Sequence, residues 1–75
     1  MSYSISENKQ LKDFGARVRQ ARTTLGWSQD ELAYRSGLHR TYVGAVERGE
    51  RNVALLNLRK LAAALGRSGG GLLDG

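Results

Sequence analysis

Four glycines, Gly26, Gly37, Gly49 and Gly66, cut this chain into pieces of helix length, and no proline interrupts any of them. Glycine takes the left-handed backbone that closes a helix, so the spacing predicts a series of short helices with glycine caps. The first piece runs from about Asn8 to Leu25. There Leu11, Phe14, Val18, Ala21 and Leu25 recur at three and four residues, the period of one buried helical face. The second, about Gln29 to Ser36, follows Ser28, a good N-cap. Glu31 stands three residues on in the pattern of a capping box, and Trp27 and Leu32 are placed as a hydrophobic staple. The third is Arg40 to Arg48. The fourth is about Leu55 to Leu65, with Leu55, Leu58, Leu61, Ala62 and Leu65 as its core stripe. A fifth turn, Ser68 to Asp74, is weak, because Gly69, Gly70 and Gly71 cost it about 1 kcal/mol each relative to alanine. It needs tertiary or dimer contacts to form. Strand alternation is absent, so the chain reads as all-α, a compact bundle of four to five short helices.

Size and charge bound what such a bundle can do. Its 75 residues hold one domain and one modest core, and no cysteine is present to staple it. Burying more apolar surface in a homodimer is one remedy. The missing cysteines fit a reducing cytoplasm. No apolar run approaches the roughly 18 residues that cross a bilayer, and the polar stretch Ser4 to Lys12 does not read as a signal peptide. The formal net charge is +5, and nine of the twelve basic residues are arginine. Arginine's planar fork suits phosphate and guanine. Charge alone fits an ordinary soluble surface equally well, so its placement decides.

That placement is informative in Gln29 to Val46. Two short helices meet across a turn containing Gly37. Small Ala33 lies in the first, and Leu38, Val43 and Val46 fill the angle between the two. This is what helices crossing steeply require, and with the capping pattern before it the unit reads as a helix-turn-helix. On a wheel of about 100° per residue, Val43 and Val46 share one side of the second helix with Tyr42 beside them. The opposite arc holds Arg40, Thr41, Gly44, Ala45 and Arg48, with Glu47 at its edge. A face with two arginines, a hydroxyl, two small residues and no acid can enter a groove about 12 Å wide. Arg51 and Asn52 follow in the loop, within reach of a backbone.

From about Phe14 to Leu65 the chain resembles the lambda-repressor/Cro-like helix-turn-helix family. The run Gly37-Leu38-His39-Arg40-Thr41-Tyr42-Val43-Gly44-Ala45-Val46-Glu47-Arg48-Gly49, followed by Arg51-Asn52-Val53, is similar to the controller proteins of restriction–modification systems. The resemblance implies a dimeric transcriptional regulator that binds an imperfectly palindromic operator and controls its own gene and the endonuclease gene. It implies a phosphate contact from Gln29, base-edge contacts from Arg40 and Thr41, and phosphate clamps from Tyr42, Arg48, Arg51 and Asn52. It also implies a structural ion pair between Arg22 and Glu47. His39 stands where a controller usually has Asp or Ser, which puts base preference and capping of the third helix in question. Ser36 replaces a usual apolar residue, and Ala54 a usual capping Ser or Thr. The expected organisation is an N-terminal arm over 1–8, a helix-turn-helix DNA-binding domain over 9–66, and a glycine-rich segment over 67–75 that serves as a dimerisation turn. An activating complex would add RNA polymerase as a partner, and a DNA ligand places the site of action in the cytoplasm at the nucleoid.

Leu56 lies off the core stripe and, with Leu72 and Leu73, forms the expected dimer interface; the bland alternative is idle exposed leucines. His39 is the one histidine and has no cysteine near it, so neither a metal site nor a cofactor is expected. No nucleophile motif points to an enzyme. Trp27 reads as a staple residue, and Tyr3 and Ile5 read either as packing on the domain or a partner or as disordered. An antitoxin-type or phage-type repressor that also binds a protein partner stays open. It calls for a partner-binding segment, for which only 1–7 and 67–75 are available. A membrane-surface peptide is excluded, because the apolar stripes need one another to form a core.

Overall fold

A computed structural model describes residues 3–74 as five helices with no strand among them: α1 (Ile5–Thr24), α2 (Gln29–Ser36), α3 (Arg40–Glu47), α4 (Leu55–Leu65) and α5 (Gly69–Asp74). Gly26, Gly37, Gly49 and Gly66 all have positive φ, and among the described residues no other does. The helix starts are less uniform. α1 begins at Ile5 and not near Asn8, because Ser4 and Glu7 form a complete capping box. Residues 5–8 of the expected arm are therefore the first turn of the helix. Of the remainder, Tyr3 and Ser4 precede the helix, and Met1 and Ser2 lie outside the described residues. At α2 only half of the expected box is present. The Ser28 hydroxyl accepts from the Glu31 amide, while the Glu31 carboxylate accepts from Arg35 Nε at 2.6 Å. His39 and Ala54 make no side-chain cap at α3 and α4.

The core is one cluster. Val18 of α1, Leu32 of α2, Val43 and Val46 of α3, Leu61 of α4 and Leu72 of α5 are its fully buried large side chains, with Phe14, Leu58 and Leu65 around them. α1 packs on α3 and α5, and α2 packs on α3 and α4. Leu25 and Leu55, expected in the core stripes, are exposed. Leu25 is already the C-cap of α1 and Leu55 opens α4, so both sit at element ends where no neighbour covers them.

Two local features hold the helix-turn-helix in shape. Ser36 is buried at the turn, where its hydroxyl donates to the Ala33 carbonyl and accepts from the Leu38 amide. A hydroxyl thus replaces an apolar residue without leaving a polar group unpaired. At the crossing of α1 and α3, Gly15 meets bare backbone. A Cβ there would lie 2.6 Å from the Glu47 carbonyl oxygen and closer still to that of Val46.

The C-terminal helix corrects one expectation. Leu72 is 1% exposed within the single chain, so it belongs to the monomer core and not to a dimer interface. Fully burying a leucine contributes roughly 1.5–3 kcal/mol, close to the helix-propensity cost of three glycines. Docking of Leu72, with the Ser68 hydroxyl accepting from the Gly71 amide, is what holds α5 as a helix. Leu56 (68% exposed) and Leu73 (50%) remain on the surface.

Candidate nucleic-acid interface

α3 exists because two valines one turn apart anchor it, and this leaves its opposite arc outward. His39, Arg40, Thr41 and Arg48 are exposed on or beside that arc, and Ala45 is half-buried. Arg51 and Asn52 are exposed in the loop that follows. The arc is not the bare hollow that residue sizes suggested at Gly44. Gly44 is buried, because the side chains of Gln29 and Arg48 lie over it. A Cβ there would be 3.1 Å from Arg48 Nη1 and 3.5 Å from Gln29 Oε1. Gly44 therefore acts by letting two polar side chains close over the helix, and its own surface is withdrawn.

Behind the arc lies a part-buried polar network. Arg22 of α1 donates from Nε to Glu47 Oε2 at 2.7 Å and from Nη2 to Glu47 Oε1 at 2.9 Å, a two-pronged pair. Its Nη1 donates to the Trp27 carbonyl at 2.8 Å. Gln29 Nε2 donates to Glu47 Oε1 at 3.1 Å. The Glu47 side chain is only 3% exposed, and its bonds hold the Arg22 guanidinium above the ordinary arginine pKa. The network ties the end of α1, the start of α2 and the end of α3 into one body. It also turns Glu47 inward, so the acid beside the cationic arc is neutralised from behind.

Tyr42 is half-buried at the edge of α3, and its hydroxyl donates to the Asn52 carbonyl at 3.4 Å. The Arg51 guanidinium lies 6.0 Å from the centre of its ring, within reach of a cation–π attraction. Asn52 Oδ1 accepts from the Val53 amide. The three expected backbone contacts of this region, Tyr42, Arg51 and Asn52, are thus already in touch with one another. Arg40, Thr41 and Arg48 stand on the neighbouring arc.

Two acids of this face escaped the sequence reading. Asp30, in the first turn of α2, has Oδ1 3.3 Å from Arg40 Nε. Glu50 has Oε1 3.1 Å from Arg48 Nε. Glu50 is readable from its nearness in sequence to Arg48. Asp30 and Arg40 are brought together only by the angle between α2 and α3. Gly15 also went unread, although an isolated glycine inside a helical pattern is the usual sign of a close packing contact.

The exposed Leu55, Leu56 and Leu73 leave an apolar surface on α4 and α5. No helix of the described residues is long and apolar enough to cross a membrane.

The helix-turn-helix family model matches residues 18–72, which takes in all of the geometry above except most of α1 and the last two residues of α5. Control protein C.BamHI of Bacillus amyloliquefaciens is 48% identical over 62 residues, 81% of this chain and 76% of the relative. A hypothetical transcription factor of Neisseria meningitidis is 59% identical over 49 residues, 65% of this chain but 46% of the relative, so the chain spans about half of that protein's length. Among solved structures, the restriction-modification controller protein C.AhdI from Aeromonas hydrophila superposes with a TM-score of 0.83 at 53% identity, covering 85% of this chain and 97% of that one. The chain belongs to the helix-turn-helix family, and restriction-modification controller proteins are among its relatives there.

Proposed function

We propose that this protein is a sequence-specific DNA-binding transcriptional regulator that acts as a homodimer and controls restriction–modification genes, its own included. The observation that carries the reading is the outward arc of α3. Arg40, Thr41 and Arg48 are exposed there on a helix locked to α1 and α2 by the Arg22–Glu47–Gln29 network. Placed in a major groove, α3 would present the Arg40 fork to the two acceptors of guanine and the Thr41 hydroxyl to a neighbouring base edge. Arg48, Arg51, Asn52 and Tyr42 would meet phosphates on the flanks and fix the register. Gln29, at the N-terminus of α2, would reach the backbone where amide dipoles favour an anion. His39, whose side chain makes no cap bond and is exposed beside Arg40, would be a further base-edge contact. A dimer joined through Leu56 and Leu73 would set two such helices about 34 Å apart, in successive major grooves of an imperfect palindrome. Such a regulator would work in the cytoplasm at the nucleoid, and as an activator it would meet RNA polymerase at the promoter.

Selection of binding sites from random duplexes tests the proposal. The expected product is a pair of dyad-related half-sites carrying a guanine that depends on Arg40. Arg40→Ala should lose about 1–3 kcal/mol on the selected site and relax the preference at that base. An unchanged motif and affinity for Arg40→Ala would overturn the assignment. Sedimentation of Leu56→Lys at the same concentrations should show the dimer weakened.

A further inference from the structure

We infer that Asp30 is a positioning residue for base recognition, bracing Arg40 so that its guanidinium is presented to guanine in one orientation. The inference rests on the DNA-reading role of α3 proposed above. Arg40 opens α3, at the positive end of the helix dipole, where a cation is disfavoured. His39 supplies no side-chain cap and the first turn of α3 holds no acid. Nothing on its own helix therefore restrains this long side chain. The carboxylate that meets it comes from α2: Asp30 Oδ1 lies 3.3 Å from Arg40 Nε, with the two side chains 78% and 61% exposed. Asp30 has no other ion-pair partner among the described residues, and its neighbour Glu31 is already engaged by Arg35.

The point of contact matters. The closest approach is at Nε and is a charge contact rather than a hydrogen bond, and Arg40 makes no side-chain hydrogen bond among the described residues. The two terminal nitrogens, the pair that reads O6 and N7 of guanine, are left without a hydrogen bond on a side chain that is 61% exposed. A flexible arginine would settle on any phosphate in reach. One held at Nε gives up less orientational freedom when a guanine arrives and is less available to a phosphate elsewhere. Asp30 also repels the DNA backbone on every sequence. Its removal therefore acts in opposite directions on the two kinds of site.

Equilibrium binding of the full chain to the selected site and to a scrambled duplex, at one fixed salt concentration, tests this. Asp30→Asn should weaken the selected site about 2- to 5-fold, the strength of an exposed ion pair written as an equilibrium factor. It should tighten the scrambled duplex about 2-fold, through loss of one repulsive charge. Asp30→Glu should recover most of the discrimination. In an Arg40→Ala background, Asp30→Asn should leave discrimination unchanged, because nothing remains to be braced. The thermal melt should fall by no more than a few degrees, the loss of one acid from the first turn of α2, and by the same amount in the Arg40→Ala background apart from the weak exposed pair. Equal tightening of both duplexes would show a solvated acid acting only by its charge and would overturn the inference, as would no change in either. Failure of the underlying reading looks different: the unmodified chain would then select no site at all.

Discussion

Removing Arg22 should do more damage than removing any other charged residue of this chain. The Glu47 carboxylate, 3% exposed, accepts three hydrogen bonds, two from Arg22 and one from Gln29. Arg22→Ala takes away two of the three and the countercharge, and it leaves the Trp27 carbonyl without its donor. Breaking a buried pair from one side costs about 3–5 kcal/mol. A chain of this length is stable by roughly 4–11 kcal/mol in all. The variant should therefore lose about a quarter or more of its stability, with a Tm lowered by about 12 °C or more. Urea melts followed by far-UV circular dichroism measure the loss, with an unchanged slope showing that the same surface unfolds. The paired replacement Arg22→Met with Glu47→Leu should recover most of that stability, because apolar residues of similar size remove both charges at once. It should nonetheless bind DNA poorly, since Gln29 loses its anchor over Gly44. A loss under about 1 kcal/mol for Arg22→Ala would refute the reasoning, because it would mean that water reaches Glu47 in the folded state.

Gly15→Ala should destabilise by about 3 kcal/mol, the upper end for overpacking, because its Cβ would strike the backbone of α3 rather than a side chain that can move; the same urea melt decides, and a neutral result would mean that α1 and α3 part easily. Gly70→Ala should gain up to about 1 kcal/mol, since a Cβ there meets nothing within 4 Å and its φ is not positive. Hydrogen exchange in α5 should slow accordingly. The Ser4 amide and hydroxyl hold Glu7 below its ordinary pKa of 4.5. The unfolded chain thus binds the proton more readily, and the stability from this cap is present above that value and lost as the pH falls through the lowered one. Glu7→Gln should melt below the unmodified chain at neutral pH, and the gap between them should close in acid.

Much of this protein is a local matter of its sequence. Glycine is the residue that best tolerates the backbone at 26, 37, 49 and 66, so the ends of four helices follow from composition alone. The valines at 43 and 46 direct the cationic arc of α3 outward whatever surrounds it. The start of α1 was equally local and lay in the Ser4–Glu7 pair, hidden because an apolar stripe marks the face of a helix and not its first turn. Other features depend on how the helices meet. Leu72 and Leu73 are neighbours in one glycine-rich tail, yet docking on the rest of the bundle buries the first and leaves the second half exposed. Gly44 closes under Gln29 and Arg48. Asp30 reaches Arg40 across the crossing of α2 and α3. Periodicity along a chain states which side of a helix is apolar, but the distance between side chains on different helices is set by crossing angles, and those appear only when the whole core is packed.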